Sequence, residues 1–174
     1  MTKMKTIFAV IFLALLIPVL LAAPESEAKV YRGKYANNTK WSYDTKTKTV
    51  IIECRGELPD DHHGSAGWGD YYLKAKKVIF KKGITSIGAG AFYNFQKLEE
   101  VVLPEGLKTI KDSAFFKCNG LKKIKPPTSL RTIGGSTFSE TEFNAFSLER
   151  VKKIGNMCFS GSKIKEVYLS LIHI

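Results

Sequence analysis

The sequence predicts a solenoid, a stack of short repeats arranged around a parallel β-sheet. Three observations carry that prediction. Apolar anchors recur at one constant offset: Val78, Phe80, Ile84, Ile87 and Phe92 are followed by Val101, Leu103, Leu107, Ile110 and Phe115, and then by Ile124, Pro126, Leu130, Ile133 and Phe138. A fourth set, Phe146, Leu148, Val151, Ile154 and Phe159, is shortened by two residues, and Val167 and Leu169 begin a fifth. Glycine and proline recur at fixed phases of the same period. A period of about 23 residues suits neither a single helix nor a hairpin. It marks units that cannot bury their own apolar face and must stack on one another.

Each part of the repeat has a physical reading. Val-x-Phe or Val-x-Leu is a short alternating strand, with side chains pointing to opposite faces. Pro104 and Pro126 close two of these strands, because proline has no N–H for a ladder. Gly88, Gly134 and Gly155 follow the second isoleucine in three of four copies, which suggests a backbone bend. Phe92, Phe115, Phe138 and Phe159 are expected to act as structural anchors that stack as an aromatic ladder. Each follows a small residue (Ala91, Ala114, Thr137, Cys158), and large beside small lets layers interdigitate.

The segments Ile84-Thr-Ser-Ile87-Gly88-Ala-Gly-Ala91-Phe92 and Leu98-Glu-Glu-Val101-Val-Leu103-Pro104-Glu-Gly-Leu107-Lys-Thr-Ile110-Lys-Asp-Ser-Ala114-Phe115 resemble the BspA-like leucine-rich repeat. Its pattern is L-x-x-V-x-I-P-x-x-V-x-x-I-G-x-x-A-F, and the resemblance covers residues 73 to 169. It departs at Lys111, which replaces the usual glycine, and at Pro126, which takes an apolar slot. The resemblance implies a leucine-rich-repeat solenoid, β-rich, of the right-handed α/β-horseshoe type, with repeats of about 23 residues. It also implies a cell-surface or secreted protein that adheres to host matrix proteins, host cells or other microbes.

In chain order, residues 1–28 read as a signal peptide. Lys3 and Lys5 make a basic start, Ile7 to Ala23 is apolar apart from Pro18, and Ala28 offers a small residue for cleavage. A transmembrane anchor is the alternative, but the run is short for the roughly 20 residues of a span and contains a proline. No second run of spanning length follows, so no internal transmembrane segment is expected. Residues 29–72 do not repeat. They are expected to form an N-terminal β-hairpin cap, in which Trp41, Tyr43, Val50 and Ile52 cover the first repeat. Residues 73–169 hold four repeats and a partial fifth. Residues 170–174 do not continue the pattern. Leu169 to Ile174 looks like translated sequencing adapter, so a truncated frame with a foreign tail is expected.

The formal net charge is +11, and residues 73–126 contain twelve lysines against Glu99, Glu100, Glu105 and Asp112. Lysines at strand ends block unwanted edge pairing. The same charge would also suit an acidic partner outside the cell, a protein or an anionic polysaccharide. Nucleic acid is not expected of an exported chain that carries no recognised binding motif.

Chemical motifs are sparse. Asp60-Asp61-His62-His63 offers competent metal ligands, yet adjacent ligands fit one ion poorly, and the stretch reads as loop decoration. Cys54 with a histidine lacks anything to serve as an oxyanion hole. Cys118 and Cys158 fall in small buried slots of the repeat and read as packed thiols, with no pairing deducible. Asn37-Asn38-Thr39 matches a glycosylation acceptor, a three-residue pattern that also arises by chance. No metal, cofactor or catalytic residue is expected. The candidate binding face is the outward side of the parallel strands: Lys77, Ile79, Glu100, Val102, Lys123, Lys125, Ala145, Ser147, Glu166 and Tyr168. The expected function is non-covalent binding, with an accessory region of an extracellular enzyme or a structural spacer as alternatives.

Overall fold

The computed structural model describes residues 27–61 and 66–168. Residues 1–26, which hold most of the expected signal peptide, residues 62–65, among them His62 and His63, and residues 169–174 lie outside the described residues. The chain opens with an antiparallel hairpin of β1 (Val30–Tyr35) and β2 (Thr39–Asp44). Its turn places Asn37 and Asn38 at φ 56° and 55°, and the Thr39 N–H donates to the Ala36 carbonyl at 3.2 Å. Two left-handed residues in succession suit the twist of a hairpin, and asparagine tolerates that conformation better than most.

Next come β3 (Thr49–Glu53), β4 (Gly56–Glu57) and a 3-10 turn over Gly67–Tyr71. The repeats follow as strand pairs: β5 (Lys77–Phe80) with β6 (Ile84–Ile87), β7 (Glu100–Val102) with β8 (Thr109–Ile110), and β9 (Lys123–Ile124) with β10 (Thr132–Ile133). The chain continues through β11 (Ala145–Ser147), β12 (Lys153–Ile154) and β13 (Glu166–Tyr168).

The strands stack into sheets along the repeat axis. A six-stranded sheet runs β1-β2-β3-β5-β7-β9, a five-stranded sheet runs β12-β10-β8-β6-β4, and β11 pairs with β13. All pairings beyond the hairpin and its junction with β3 are parallel. Val78 lies beside Val101, which lies beside Ile124, and Ile87 lies beside Ile110. The anchor spacing implied one sheet, but each coil carries two. The only helical element among the described residues is the 3-10 turn.

A third ladder of hydrogen bonds runs along the remaining side of each coil. The N–H groups of Gly90, Phe92 and Asn94 donate to the carbonyls of Asp112, Ala114 and Phe116. Ser113, Phe115 and Lys117 donate in turn to Gly135, Thr137 and Ser139, and Ser136, Phe138 and Glu140 to Asn156, Cys158 and Ser160. To aim alternate amides along the axis, the backbone turns left-handed twice per coil. The positions are Gly90 and Asn94, Ser113 and Lys117, Ser136 and Glu140, and Met157 and Gly161. A non-glycine residue there costs on the order of 1–2 kcal/mol, which the inter-coil hydrogen bonds offset.

The core is the column inside these three ladders. Phe92, Phe115 and Phe138 are fully buried and stack at 5.7 Å, with interplanar angles of 16° and 3°, and Phe159 continues the stack at 5.9 Å and 12°. Trp68 extends it in the other direction, 6.0 Å from Phe92 at 19°, and its indole N–H donates to the Ala91 carbonyl at 2.9 Å.

The non-repeating segment therefore contains a coil of its own. Val50 pairs with Val78 and Ile52 with Phe80, Gly56 pairs with Ile84, and Trp68 takes the ring position. Of the four hairpin residues named above, Val50 and Ile52 are fully buried members of this stacked layer. Tyr35 meets Trp68 edge-on at 5.3 Å. The Trp41 indole lies against Gly33 and Gly67, where a Cβ would fall about 2.5 Å from the ring in either case.

The recurrent glycines serve close approach, not a bend. A Cβ on Gly88 would lie 2.1 Å from the Pro59 carbonyl oxygen, one on Gly134 2.4 Å from the Asp112 nitrogen, and one on Gly155 2.2 Å from the Gly135 nitrogen. None of the three is left-handed. Lys111, in the same slot, reaches past the coil of Gly88 to the one before it, where Nζ lies 3.2 Å from Asp60 and 3.5 Å from Glu57.

The shortened copy has a visible consequence. Phe143 is buried in the slot that Leu98 and Leu121 fill in earlier coils, and packs edge-on against Phe138 at 5.4 Å. β9 ends at Ile124, two residues before Pro126-Pro127, and does not pair with β11, so the six-stranded sheet stops there while β10 still pairs with β12.

Candidate functional site

Parallel stacking brings the outward strand positions into rows. Lys77, Glu100 and Lys123 share one row, and Ile79 and Val102 lie side by side in another. Along the first row the charge alternates, and Lys77 Nζ lies 3.0 Å from Glu100 Oε1. The row just before it behaves similarly, with Lys76 2.7 Å from Glu99. The hydrogen bond from Lys76 holds the Glu99 carboxyl below its ordinary range. Exposed pairs of this kind contribute little to stability, but they fix the charge pattern that the surface presents.

Ile79 is half-buried, whereas Val102 is exposed. Lys123 and Lys125 are exposed on the last strand of the large sheet and just beyond it. A hollow of about 480 Å³ runs along β7 and β9, lined by Glu100, Val102, Lys123 and Lys125. The other four positions belong to a separate two-stranded sheet, in which Ala145 pairs with Glu166 and Ser147 with Tyr168. Ala145 is exposed and Ser147 half-buried. The ten positions thus form two groups, divided where β9 and β11 fail to pair.

A larger cleft, of about 850 Å³, opens at the N-terminal ends of β3, β5, β7 and β9. It is lined by Lys48, Lys74, Lys76, Lys97 and Lys122 together with Tyr31, Tyr43 and Tyr71. The strand pattern did not reveal it. Its lysines precede the strands, and its tyrosines come from the hairpin and the 3-10 turn, segments without a repeat phase.

The two carboxylates of the Asp60-Asp61-His62-His63 stretch have structural partners. Asp60 accepts from the Ala89 N–H at 2.8 Å and from Lys111. Asp61 is buried and accepts from the Ala66 N–H at 3.3 Å. No group of three or more potential metal ligands occurs among the described residues. Cys54, Cys118 and Cys158 are buried free thiols. Burial raises all three thiols, Cys158 to about 11, and Cys118 Sγ lies 3.2 Å from the Phe92 carbonyl oxygen. A reactive cysteine needs the opposite environment, one that favours the thiolate. No helix among the described residues is long and apolar enough to cross a membrane.

Comparison with known proteins bears on the fold and the family. Three solved structures share the architecture. A leucine-rich repeat protein from Eubacterium ventriosum superposes with a TM-score of 0.62 at 17% identity, over 84% of this chain and 45% of its own length. One from Bacteroides ovatus gives a TM-score of 0.59 at 19% identity, over 86% of this chain and 41% of that one. The leucine-rich repeat protein of T. pallidum gives 0.57 at 22% identity, over 83% of this chain and 70% of that one. The chain therefore spans less than half the length of the first two. No curated protein sequence matches it. The family model of the BspA type leucine rich repeat region matches residues 70–173 in six copies; the spacing of the anchors alone displays four copies and part of a fifth. That match covers more than half of the chain, and the protein belongs to the BspA-type leucine-rich repeat family.

Proposed function

We propose that this chain is a secreted or cell-surface binding module whose repeats mediate protein–protein interaction or adhesion to host or microbial surfaces. In this reading residues 1–28 direct export, and residues 73–169 present the binding surface. The hairpin region covers the first repeat of a horseshoe-type stack with a repeat of about 23 residues. The partner is an extracellular protein or anionic polysaccharide, and no catalytic step or cofactor is assigned to the repeats.

The observation that carries the reading is the row geometry of the large sheet. Lys77, Glu100 and Lys123 stand in register at the strand spacing of about 4.8 Å. Exposed Val102 lies among them, above the hollow along β7 and β9. Apolar surface rimmed by fixed charge is what a protein partner can recognise, and extended solenoid faces are suited to that role.

The test is solid-phase binding of the purified chain to a panel of immobilised extracellular matrix proteins, compared with the double variant Val102→Glu/Lys123→Glu. Binding to at least one matrix protein, lost in the variant, supports adhesion through this face. Equal binding by both forms rejects the face, and no binding by the native chain at low salt rejects adhesion by this segment.

A further inference from the structure

The cleft at the strand N-termini combines two features. The first is a cluster of tyrosines. Tyr71 lies flat on buried Tyr43, with ring centroids 4.0 Å apart and planes at 20°. Tyr31 stands beside Tyr71 at 6.0 Å, tilted by 36°, and is 47% exposed. The second is a set of lysines. Lys48, Lys74 and Lys97 are exposed and have no carboxylate partner among the described residues.

These lysines differ from the paired lysines at the starts of β5 and β7. At the starts of β5 and β7 the lysines of one coil meet glutamates of the next, Lys76 with Glu99 and Lys77 with Glu100, whereas Lys48 stands beside Lys76. Lys74 and Lys97, at the same offset, set lysine against lysine on adjacent coils. Like charges gathered at one cleft repel each other, and an anion placed among them would relieve that repulsion. At the next position of the row Gly120 rests on the backbone of residues 96–98, and a Cβ there would lie 2.8 Å from the Gln96 carbonyl oxygen. The end of the row is thereby left open. The acids at the cleft are Glu99, already paired with Lys76, and exposed Asp70.

We propose that this cleft binds a sulfated or carboxylated saccharide, with a sugar ring against Tyr31 and Tyr71 and its anionic groups on Lys48, Lys74 and Lys97. Lysines alone would suit any polyanion. The tyrosines select the saccharide, because a phenol ring offers an apolar face for the C–H side of a pyranose and a hydroxyl at its rim for the sugar's own hydroxyls. An acidic peptide would use the lysines and leave the ring faces idle. The volume lies within the range of roughly 300–1,000 Å³ usual for small-ligand sites. The site is separate from the sheet face, so either proposal can fail while the other stands.

The experiment is titration of the full chain with a short heparin oligosaccharide, with neutral dextran and polyglutamate as comparison probes. Heparin is expected to bind and dextran not. Lys74→Gln/Lys97→Gln should weaken heparin binding by about tenfold, the scale of two lost charge-assisted contacts. Lys81→Gln/Lys82→Gln, which removes the same charge outside the cleft, should change it by less than about twofold. Tyr31→Ala should weaken heparin several-fold and leave polyglutamate unchanged. All five side chains are exposed, so the fold tolerates the changes. Equal losses from the two lysine pairs would reduce the effect to net charge and overturn the site. Indifference of heparin to Tyr31→Ala would overturn the saccharide, and absence of heparin binding at low salt would overturn both.

Discussion

Phe115 is the residue on which the stacking account is most exposed to test. Its ring is fully buried, has stacked neighbours at 5.7 Å on both sides, and meets Phe80 edge-on at 6.4 Å. Phe115→Ala removes the ring from a layer held by three hydrogen-bonded ladders, which limits collapse into the void. The expected loss is therefore about 3–5 kcal/mol. Phe115→Leu keeps most of the apolar burial but loses two stacked pairs, each contributing about 0.5–1.5 kcal/mol beyond its area, so a loss of about 1–3 kcal/mol is expected. The sharper quantity is coupling. In double-mutant cycles by urea denaturation, Phe92→Leu and Phe115→Leu should couple by about 0.5–1.5 kcal/mol because their rings touch. Phe92→Leu and Phe138→Leu are two steps apart, beyond the roughly 7–10 Å over which side chains couple, and should be additive. Equal coupling in both cycles, or a cost below about 1 kcal/mol for Phe115→Ala, would refute the ladder as the source of stability.

Other positions make independent predictions. Gly134→Ala forces a Cβ to within 2.4 Å of the Asp112 nitrogen, and a loss of about 1–3 kcal/mol in denaturant unfolding is expected. Met157→Gly should have the opposite sign: Met157 is 74% exposed at φ 56°, and relief of the left-handed conformation should raise stability by up to about 1 kcal/mol, measurable as a higher Tm. The thiols make stability pH-dependent at the alkaline end. Burial raises the folded-state values of Cys54, Cys118 and Cys158, so the unfolded chain loses these protons first, and stability is complete below the ordinary thiol range and declines as pH rises through about 9. Thermal melts between pH 7 and 11 should show that decline, and a triple Cys→Ala variant should lack the part due to the thiols.

Legibility in the sequence varied with the length of the signal. The constant offset of Val78, Val101 and Ile124 could be read directly, and it is the offset at which β5, β7 and β9 pair. The second sheet could not be read, because β8, β10 and β12 are two residues long and too short to show alternation. The coil built from β3, β4 and Trp68 was hidden for two reasons. Val50 and Val78 are spaced more widely than one repeat, which breaks the period, and a tryptophan stands where later coils have phenylalanine. Phe143 escaped because the shortened copy shifts it by one position. Of the candidate sites, the strand face follows from alternation alone. The tyrosine-lysine cleft depends on where the hairpin and the 3-10 turn come to rest, which no periodicity encodes.

The interruption between β9 and β11 makes the stack unequal along its length. Earlier coils are joined by both sheets and by the turn ladder. The junction after β9 has lost the large sheet and retains the β10–β12 pairing, the turn ladder and isolated links such as the Glu142 N–H to the Leu121 carbonyl. A solenoid behaves as a one-dimensional chain whose cooperativity is set by nearest-neighbour coupling. A weak link divides such a chain into two units that open separately. Amide protons of β11 and β12 should therefore exchange with solvent through a partial opening that leaves β5 and β7 protected. The two residues missing from one repeat would then mark the boundary between a durable body and a segment free to part from it.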